Sequence, residues 1–117
     1  MSQNESPLTS HVLDTAFGIP ARGLAVRLDV LEPNGGWKSV AHATTNDDGR
    51  VPDLMQEGAL EARTYRLTFE TGAYHEQGGR PCFYPRVEVI FSIDDPTAHY
   101  HVPLLLSPFG YSTYRGS

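Results

Sequence analysis

The chain has 117 residues, of which 39% are hydrophobic and 20% charged, and its formal net charge is −5. This size and balance predict a single domain over residues 1–117, with residues 1–6 flexible. The acidic chain has no basic stripe, which excludes nucleic acid as a partner. Its longest strongly apolar stretch, Val102–Leu106, is too short to span a bilayer, which excludes a membrane partner.

The first half of the chain predicts short strands separated by turns. Leu8–Asp14 is the first candidate strand and is closed by Gly18–Pro20. Gly23–Glu32 alternates most clearly, with aliphatic side chains on one face and charged ones on the other. Because Pro33–Gly36 supplies the glycines that a turn with positive φ requires, we expect Gly23–Glu32 and Trp37–Thr45 to form a hairpin.

The second half predicts further strands and one helix. Asn46–Gly49 is another turn and leads into the short extended piece Arg50-Val51, whereas Asp53–Leu60 fits either a helix or a loop. Thr71–Gln77 has the composition of a helix and ends at two glycines. The remaining predicted strands are Arg63–Glu70, Arg86–Ile93, His99–Ser107 and Tyr111–Ser117. About eight short strands and one short helix predict an all-β fold, a two-sheet antiparallel sandwich.

The cysteine content and the N-terminal residues bear on the cellular location. Cys82 is the only cysteine, so no internal disulfide can form. Met1–Ser6 carries neither the positive charge nor the apolar segment of a secretory signal. We therefore expect a cytoplasmic protein. Arg80 lies near Cys82 in sequence and would favour a reactive thiolate, but we interpret this cysteine as packed or inert.

Four features carry possible chemistry. They are His11 inside a strand, Arg50 directly after a turn, the pair His99 and His101, and the chain end Tyr114–Ser117. Each has a simpler interpretation. A lone strand histidine is usually structural, an arginine after a turn is usually solvated, and a polar chain end is usually frayed. His-x-His is a common metal-ligand spacing, but it also fits two polar residues on an exposed face.

Alternation predicts which way the histidines point. In His99–Ser107, one face is apolar, and His99 and His101 lie on the other. In the first strand, His11 shares its face with Thr9 and Leu13. A face that mixes histidine with leucine is typical of neither core nor solvent. We expect a second protein surface to cover it, which would leave a polar pocket in an apolar wall.

Taken together, these features resemble the transthyretin-like family and, within it, the hydrolases that act on 5-hydroxyisourate. The resemblance covers nearly the whole chain, and the closing Tyr114–Ser117 is its most specific part, because the family's hydrolases end in the same tetrapeptide. Transthyretin itself lacks that tetrapeptide and the catalytic histidines. The matching segments are Leu8–Thr15, Gly18–Gly23, Thr45–Arg50, Phe69–Tyr74, Phe83–Pro85 and His101–Ser117.

The resemblance implies a fold, an assembly and a site. The family fold is a two-sheet sandwich of eight strands with one short helix. Its members assemble as homotetramers, dimers of dimers, with active sites in the channel between dimers. By motif position the implied catalytic residues are His11, Arg50 and His101, and the substrate is bound by His11, Arg50, Tyr114 and Ser117. The resemblance implies no cofactor and no metal.

The implied reaction is the opening of the 5-hydroxyisourate ring by water in urate degradation, which gives the carboxylated ureidoimidazoline. Histidine suits the activation of this water because its ordinary pKa lies near neutral pH. Two alternatives stay open at this point. One is a small-molecule carrier on the same scaffold, because one fold hosts many functions. The other is a metal site built from His99 and His101 with His11 nearby.

Overall fold

A computed structural model of the chain describes residues 6–116. Within that range it has nine strands and one helix. These elements are β1 (Leu8–Asp14), β2 (Ile19–Pro20), β3 (Ala25–Leu31), β4 (Trp37–Thr44), β5 (Arg50–Val51), β6 (Thr64–Phe69), α1 (Thr71–Gln77), β7 (Val87–Ser92), β8 (Tyr100–Ser107) and β9 (Gly110–Thr113). No helix in this range is long and apolar enough to cross a membrane.

The strands form two sheets that enclose one core. The first sheet has the order β2-β1-β8-β9, and β5 also pairs with β1; the second has the order β4-β3-β6-β7. This confirms the predicted two-sheet sandwich. The predicted hairpin is β3 and β4, which pair antiparallel with a register shift between Leu28 and Asp29.

The core is built from the alternating apolar residues of both sheets. The inward-facing residues of β8, namely Tyr100, Val102, Leu104 and Leu106, are buried, as the alternation predicts. Those of β6 on the opposite sheet, Tyr65, Leu67 and Phe69, are buried as well. Because side chains of a strand alternate between faces, burying this set turns the intervening residues of β8 away from the core.

Two local features differ from the expectations, and one open alternative is decided. The pairing of β1 with β8 is parallel, because these strands are joined by a long stretch of chain rather than by a hairpin turn. Residues 53–60, for which the sequence left a helix or a loop open, form a loop of turns and bends. The last predicted strand is shorter, since β9 ends at Thr113 and only an isolated bridge between His101 and Gly116 continues the pairing. Pro103 lies opposite this gap and has no N–H to donate to the ladder.

The expected flexibility of residues 1–6 lies outside the described residues except at Ser6. There the side chain is buried, and Ser6 Oγ accepts a hydrogen bond from the Met55 backbone N–H at 3.1 Å.

Candidate active site

Strand register gathers the predicted residues onto one face of the first sheet. In the antiparallel pair of β1 and β5, His11 lies opposite Arg50. In the parallel pair of β1 and β8, Thr9 lies beside His101. Residues in register point to the same face of a sheet, and Thr9 and His11 share a face because they are two residues apart. His11, Arg50 and His101 therefore meet on the side of this sheet that faces away from the core.

The two imidazoles lie close together. The ring centroids of His11 and His101 are 6.5 Å apart, with 30° between the ring planes. Both side chains are half-buried, whereas Arg50 is exposed. Two groups that can take up or release a proton thus face the same space.

His101 is held on two sides. Its Nδ1 lies 2.8 Å from Thr9 Oγ1, and its carbonyl oxygen accepts a hydrogen bond of 2.7 Å from the Gly116 N–H. Gly116 packs directly against the ring, since a Cβ placed there would lie 2.8 Å from His101 Cδ2. Only glycine lets the chain approach the imidazole this closely. The remaining ring nitrogen, Nε2, has no hydrogen-bond partner among residues 6–116.

The surroundings favour the neutral form of His101. Burial lowers the pKa of His101 below its ordinary value, and the positive charge of Arg50 and the neighbouring His11 lower it further. An interaction with the Thr9 backbone raises the pKa of His101 but is the smallest of these influences. A neutral imidazole has a lone pair to accept a proton, so His101 is suited to general-base chemistry at neutral pH.

The other predicted residues lie less centrally. His99 is exposed on the same face, with its Nε2 3.4 Å from Thr9 Oγ1. Tyr114 is 58% exposed and lines a cavity of about 310 Å³ at the edge of the sheets, together with Tyr100 and Arg115. No hydrogen bond within residues 6–116 joins Tyr114 to either central histidine. Ser117 lies outside the described residues.

The leucines on this face fit the expected apolar wall. Leu13 and Leu105 are in register in β1 and β8, and both are half-buried. They lie two residues along their strands from His11 and Pro103, on the same face. Among the described residues, no three His, Cys, Asp or Glu side chains are grouped to hold a metal ion.

A second polar cluster, which the sequence did not predict, lies at the end of β1. The Asp14 side chain is 1% exposed and accepts hydrogen bonds from Arg80 Nη2 at 2.7 Å and from Tyr74 Oη at 2.8 Å. Arg80 Nη2 also lies 3.1 Å from Nδ1 of the buried His75. This cluster joins α1 and the segment after it to the first sheet.

Charge and burial oppose each other in this cluster. Burial alone would raise the pKa of Asp14, but the hydrogen bonds from Arg80 and Tyr74 hold it below its ordinary value. Burial also raises the pKa of Tyr74 to about 12, with a contribution from its hydrogen bond to Asp14. Burial and the charge of Arg80 both lower the pKa of His75. The carboxylate is therefore ionised and fully paired at neutral pH.

The architecture and this face define a β-sandwich with a histidine- and arginine-bearing site on one sheet. The chain belongs to the HIUase/Transthyretin family, whose family model matches residues 8–116. It is 50% identical to the 5-hydroxyisourate hydrolase of Mus musculus over 118 residues, which covers 100% of both chains.

Solved structures give the same family. Sea bream transthyretin in complex with thyroxine superposes with a TM-score of 0.90 at 34% identity, covering 95% of each chain. The 5-hydroxyisourate hydrolase of Klebsiella pneumoniae superposes with a TM-score of 0.79 at 38% identity, covering 94% of this chain and 98% of that one. Because a thyroxine complex and a hydrolase both share this fold, the residues on the sheet face decide between their functions.

Proposed function

We propose that this protein hydrolyses 5-hydroxyisourate in urate degradation. The observation that carries the proposal is the meeting of His11, Arg50 and His101 on one sheet face, with the two half-buried rings 6.5 Å apart. The 50% identity to a mouse protein named for this activity supports the same substrate. The product is the ring-opened carboxylated ureidoimidazoline.

The proposed chemistry is attack by water on a ring amide carbonyl. One imidazole takes a proton from the water while the water oxygen forms a bond to the carbonyl carbon. The ring carbon–nitrogen bond then breaks, and a histidine returns the proton to the leaving nitrogen. Negative charge builds on the carbonyl oxygen during attack, and the Arg50 guanidinium stabilises it. The lowered pKa of His101 supports its role as the base.

The proposal includes a covering partner. The face that carries His11, Leu13 and Leu105 is only half-buried in the isolated chain. A homotetramer, a dimer of dimers, would bury this face in a channel and exclude bulk water from the reaction. Tyr114 and Ser117 would complete the substrate-binding pocket there. We also propose that the domain of residues 1–117 acts as one unit in the cytoplasm.

The direct test is an optical assay with freshly generated 5-hydroxyisourate. Its decay should be faster with the protein than without it. Replacing Arg50 by alanine should reduce kcat on the order of a hundredfold or more, the usual cost of losing a group that stabilises a developing oxyanion. The matched control is Arg22→Ala, since Arg22 is highly exposed and, among residues 6–116, forms an ion pair only with the exposed Asp47 at 3.4 Å. Unchanged kcat and KM in Arg50→Ala would remove Arg50 from the scheme.

A carrier function is the alternative, favoured by the high TM-score to transthyretin with bound thyroxine. A carrier would bind the substrate or another ring compound without consuming it. Decay of 5-hydroxyisourate at the spontaneous rate, together with saturable binding, would favour the carrier and overturn the hydrolase.

A further inference from the structure

One hydroxyl group lies between two imidazoles on the candidate active-site face. Thr9 Oγ1 is 2.8 Å from His101 Nδ1 and 3.4 Å from His99 Nε2. The first distance is that of a good hydrogen bond and the second that of a weak one. A threonine hydroxyl has one proton and two acceptor lone pairs, so it can donate to only one of the two rings.

The backbone fixes this arrangement. Thr9 and His101 are in register in the parallel pair of β1 and β8, and His99 lies two residues before His101. The neighbours of Thr9 are both buried, and Ser10 Oγ donates a hydrogen bond of 2.7 Å to the Val102 carbonyl. Because β1 is anchored on both sides of Thr9, the Thr9 backbone keeps a fixed position beside His101, within reach of both rings.

The hydroxyl couples the protons of the two rings. If Thr9 donates to His99 Nε2, then His101 Nδ1 must carry a proton and donate it to Thr9, which leaves a lone pair on His101 Nε2. If Thr9 donates to His101 Nδ1 instead, the proton of His101 lies on Nε2. The hydrogen bond at one ring nitrogen thus determines the state of the other.

The first arrangement fits the charges around the site. His101 Nδ1 is occupied by Thr9, so Nε2 is the ring nitrogen without a hydrogen-bond partner among residues 6–116, and the His11 ring and the positive Arg50 act on this imidazole from the same sheet face. A positive charge favours a lone pair over an N–H dipole pointing towards it. The electrostatics therefore favour a chain of hydrogen bonds that runs outward from His101 through Thr9 to His99.

We propose that Thr9 is a positioning residue that, with His99, holds His101 in the tautomer with a proton on Nδ1 and a lone pair on Nε2. The kinetic consequence rests on the proposed hydrolase function. The tautomer itself is a property of the folded chain and is tested separately.

The first experiment reads the tautomer directly. Ring-nitrogen NMR of histidine-labelled protein, with His101→Asn to assign the signals, should show a protonated Nδ1 and an unprotonated Nε2 for His101 near neutral pH. Thr9→Val keeps the shape of the side chain but removes the hydroxyl, so the proton should redistribute towards Nε2. Thr9→Ser restores the hydroxyl and should restore the wild-type pattern. An unchanged pattern in Thr9→Val would overturn the proposal.

The second experiment reads the kinetic effect. Thr9→Val should lower kcat at least roughly tenfold, a part of the hundredfold or more that general-base catalysis supplies, with little change in KM. Thr9→Ser should recover most of that loss, and His99→Gln should have a smaller effect because its contact is longer. Equal losses in Thr9→Ser and Thr9→Val would mean that packing matters rather than the hydroxyl, and would overturn the proposal.

The two proposals fail in different ways. If wild-type protein does not accelerate the decay of 5-hydroxyisourate, the hydrolase function fails, but the NMR comparison still decides the role of Thr9. If wild-type protein is active and the His101 tautomer does not depend on Thr9, only the positioning role fails. Should Thr9→Val not fold, Thr9→Ala removes the same hydroxyl without adding a methyl group in its place, and it decides the matter by the same NMR readout.

Discussion

In β1, Thr9 and His11 lie half-buried on an open sheet face, whereas Asp14, at the end of the same strand, is 1% exposed and paired with Arg80 and Tyr74. Within the described chain, His101 Nε2 in the first region keeps hydrogen-bonding capacity that no other group uses. In the second region, both carboxylate oxygens of Asp14 accept hydrogen bonds.

This difference distinguishes a candidate active site from a structural ion-pair cluster. Buried polar groups are costly unless they are paired, and the buried Asp14 carboxylate accepts hydrogen bonds on both oxygens, as a structural tie requires. Unused hydrogen-bonding capacity on a half-buried face is what a ligand requires. Substitutions in the two regions should therefore act on different quantities, the free energy of unfolding at the end of β1 and the reaction rate in its middle.

The largest effect is expected for Asp14→Asn. It leaves the largely buried Arg80 guanidinium without its carboxylate, and breaking a fully buried ion pair in this way costs roughly 3–5 kcal/mol of unfolding free energy, which is the upper bound here. Denaturant unfolding followed by circular dichroism measures it. The control is Asp47→Asn, which removes only an exposed pair with Arg22 and should cost well under about 1 kcal/mol. Equal losses in the two variants would contradict the structural role of Asp14.

Next is His101→Asn. If His101 is the base, kcat should fall on the order of a hundredfold or more, or about 2.7 kcal/mol of activation free energy. The free energy of unfolding should change little, because the ring is only half-buried. His42→Asn on the exposed face of β4 is the matched control and should keep full activity. A near-wild-type rate in His101→Asn would refute its role as the base.

A smaller effect is expected for Gly116→Ala. The new Cβ would lie 2.8 Å from His101 Cδ2, so the ring or the chain end must shift. A displacement of this size in a catalytic group should lower kcat/KM roughly tenfold to a hundredfold. Gly110→Ala is the control, because a Cβ there lies at an ordinary 3.7 Å from Ser107 Oγ. Equal rates for both alanine variants would show that contact with His101 is unimportant.

The smallest effect concerns the pH dependence of stability and His75. Its folded pKa lies below the ordinary value of 6.5, so below 6.5 the unfolded chain binds more protons than the folded one. The contribution of neutral His75 to the free energy of unfolding is therefore complete above pH 6.5. It is lost as the pH falls below 6.5 towards the folded pKa, at up to about 1.4 kcal/mol per pH unit. His75→Gln should flatten that slope in denaturant titrations between about pH 7.5 and pH 5.5.

The pH dependence of stability also depends on the charged and aromatic groups that surround His75. Arg80 and Asp14 act on its charge, and Tyr74 packs against the ring edge. His42→Gln, at an exposed position, is the control and should keep the wild-type slope. An unaltered slope in His75→Gln would assign the pH dependence to other groups.

Local patterns were sufficient to predict the elements and the outward face. Alternation along β8 predicted that His101 points away from the core, and the composition of residues 71–77 predicted α1. Assignment of His11, Arg50 and His101 to one site came from the family resemblance, because alternation gives a face but not which strands are neighbours.

Local patterns could not predict contacts between residues that are far apart in the sequence. The ion pair of Asp14 with Arg80 joins positions 66 residues apart, and no periodicity signals it. Thr9 was placed on the face of His11, but its contact with His101 depends on a parallel register between β1 and β8. A hydroxyl sharing a strand face with a candidate histidine was the one available signal.

The parallel pairing of β1 with β8 also bears on how the chain is made. Thr9 and His101 are 92 residues apart, so the ribosome must synthesise nearly all of the described chain before β1 can pair with β8. The second sheet consists of strands that pair antiparallel and follow one another more closely, so it can form earlier. During that interval β1 has an unpaired edge, and a translation pause before β8 should make the nascent chain dependent on chaperones.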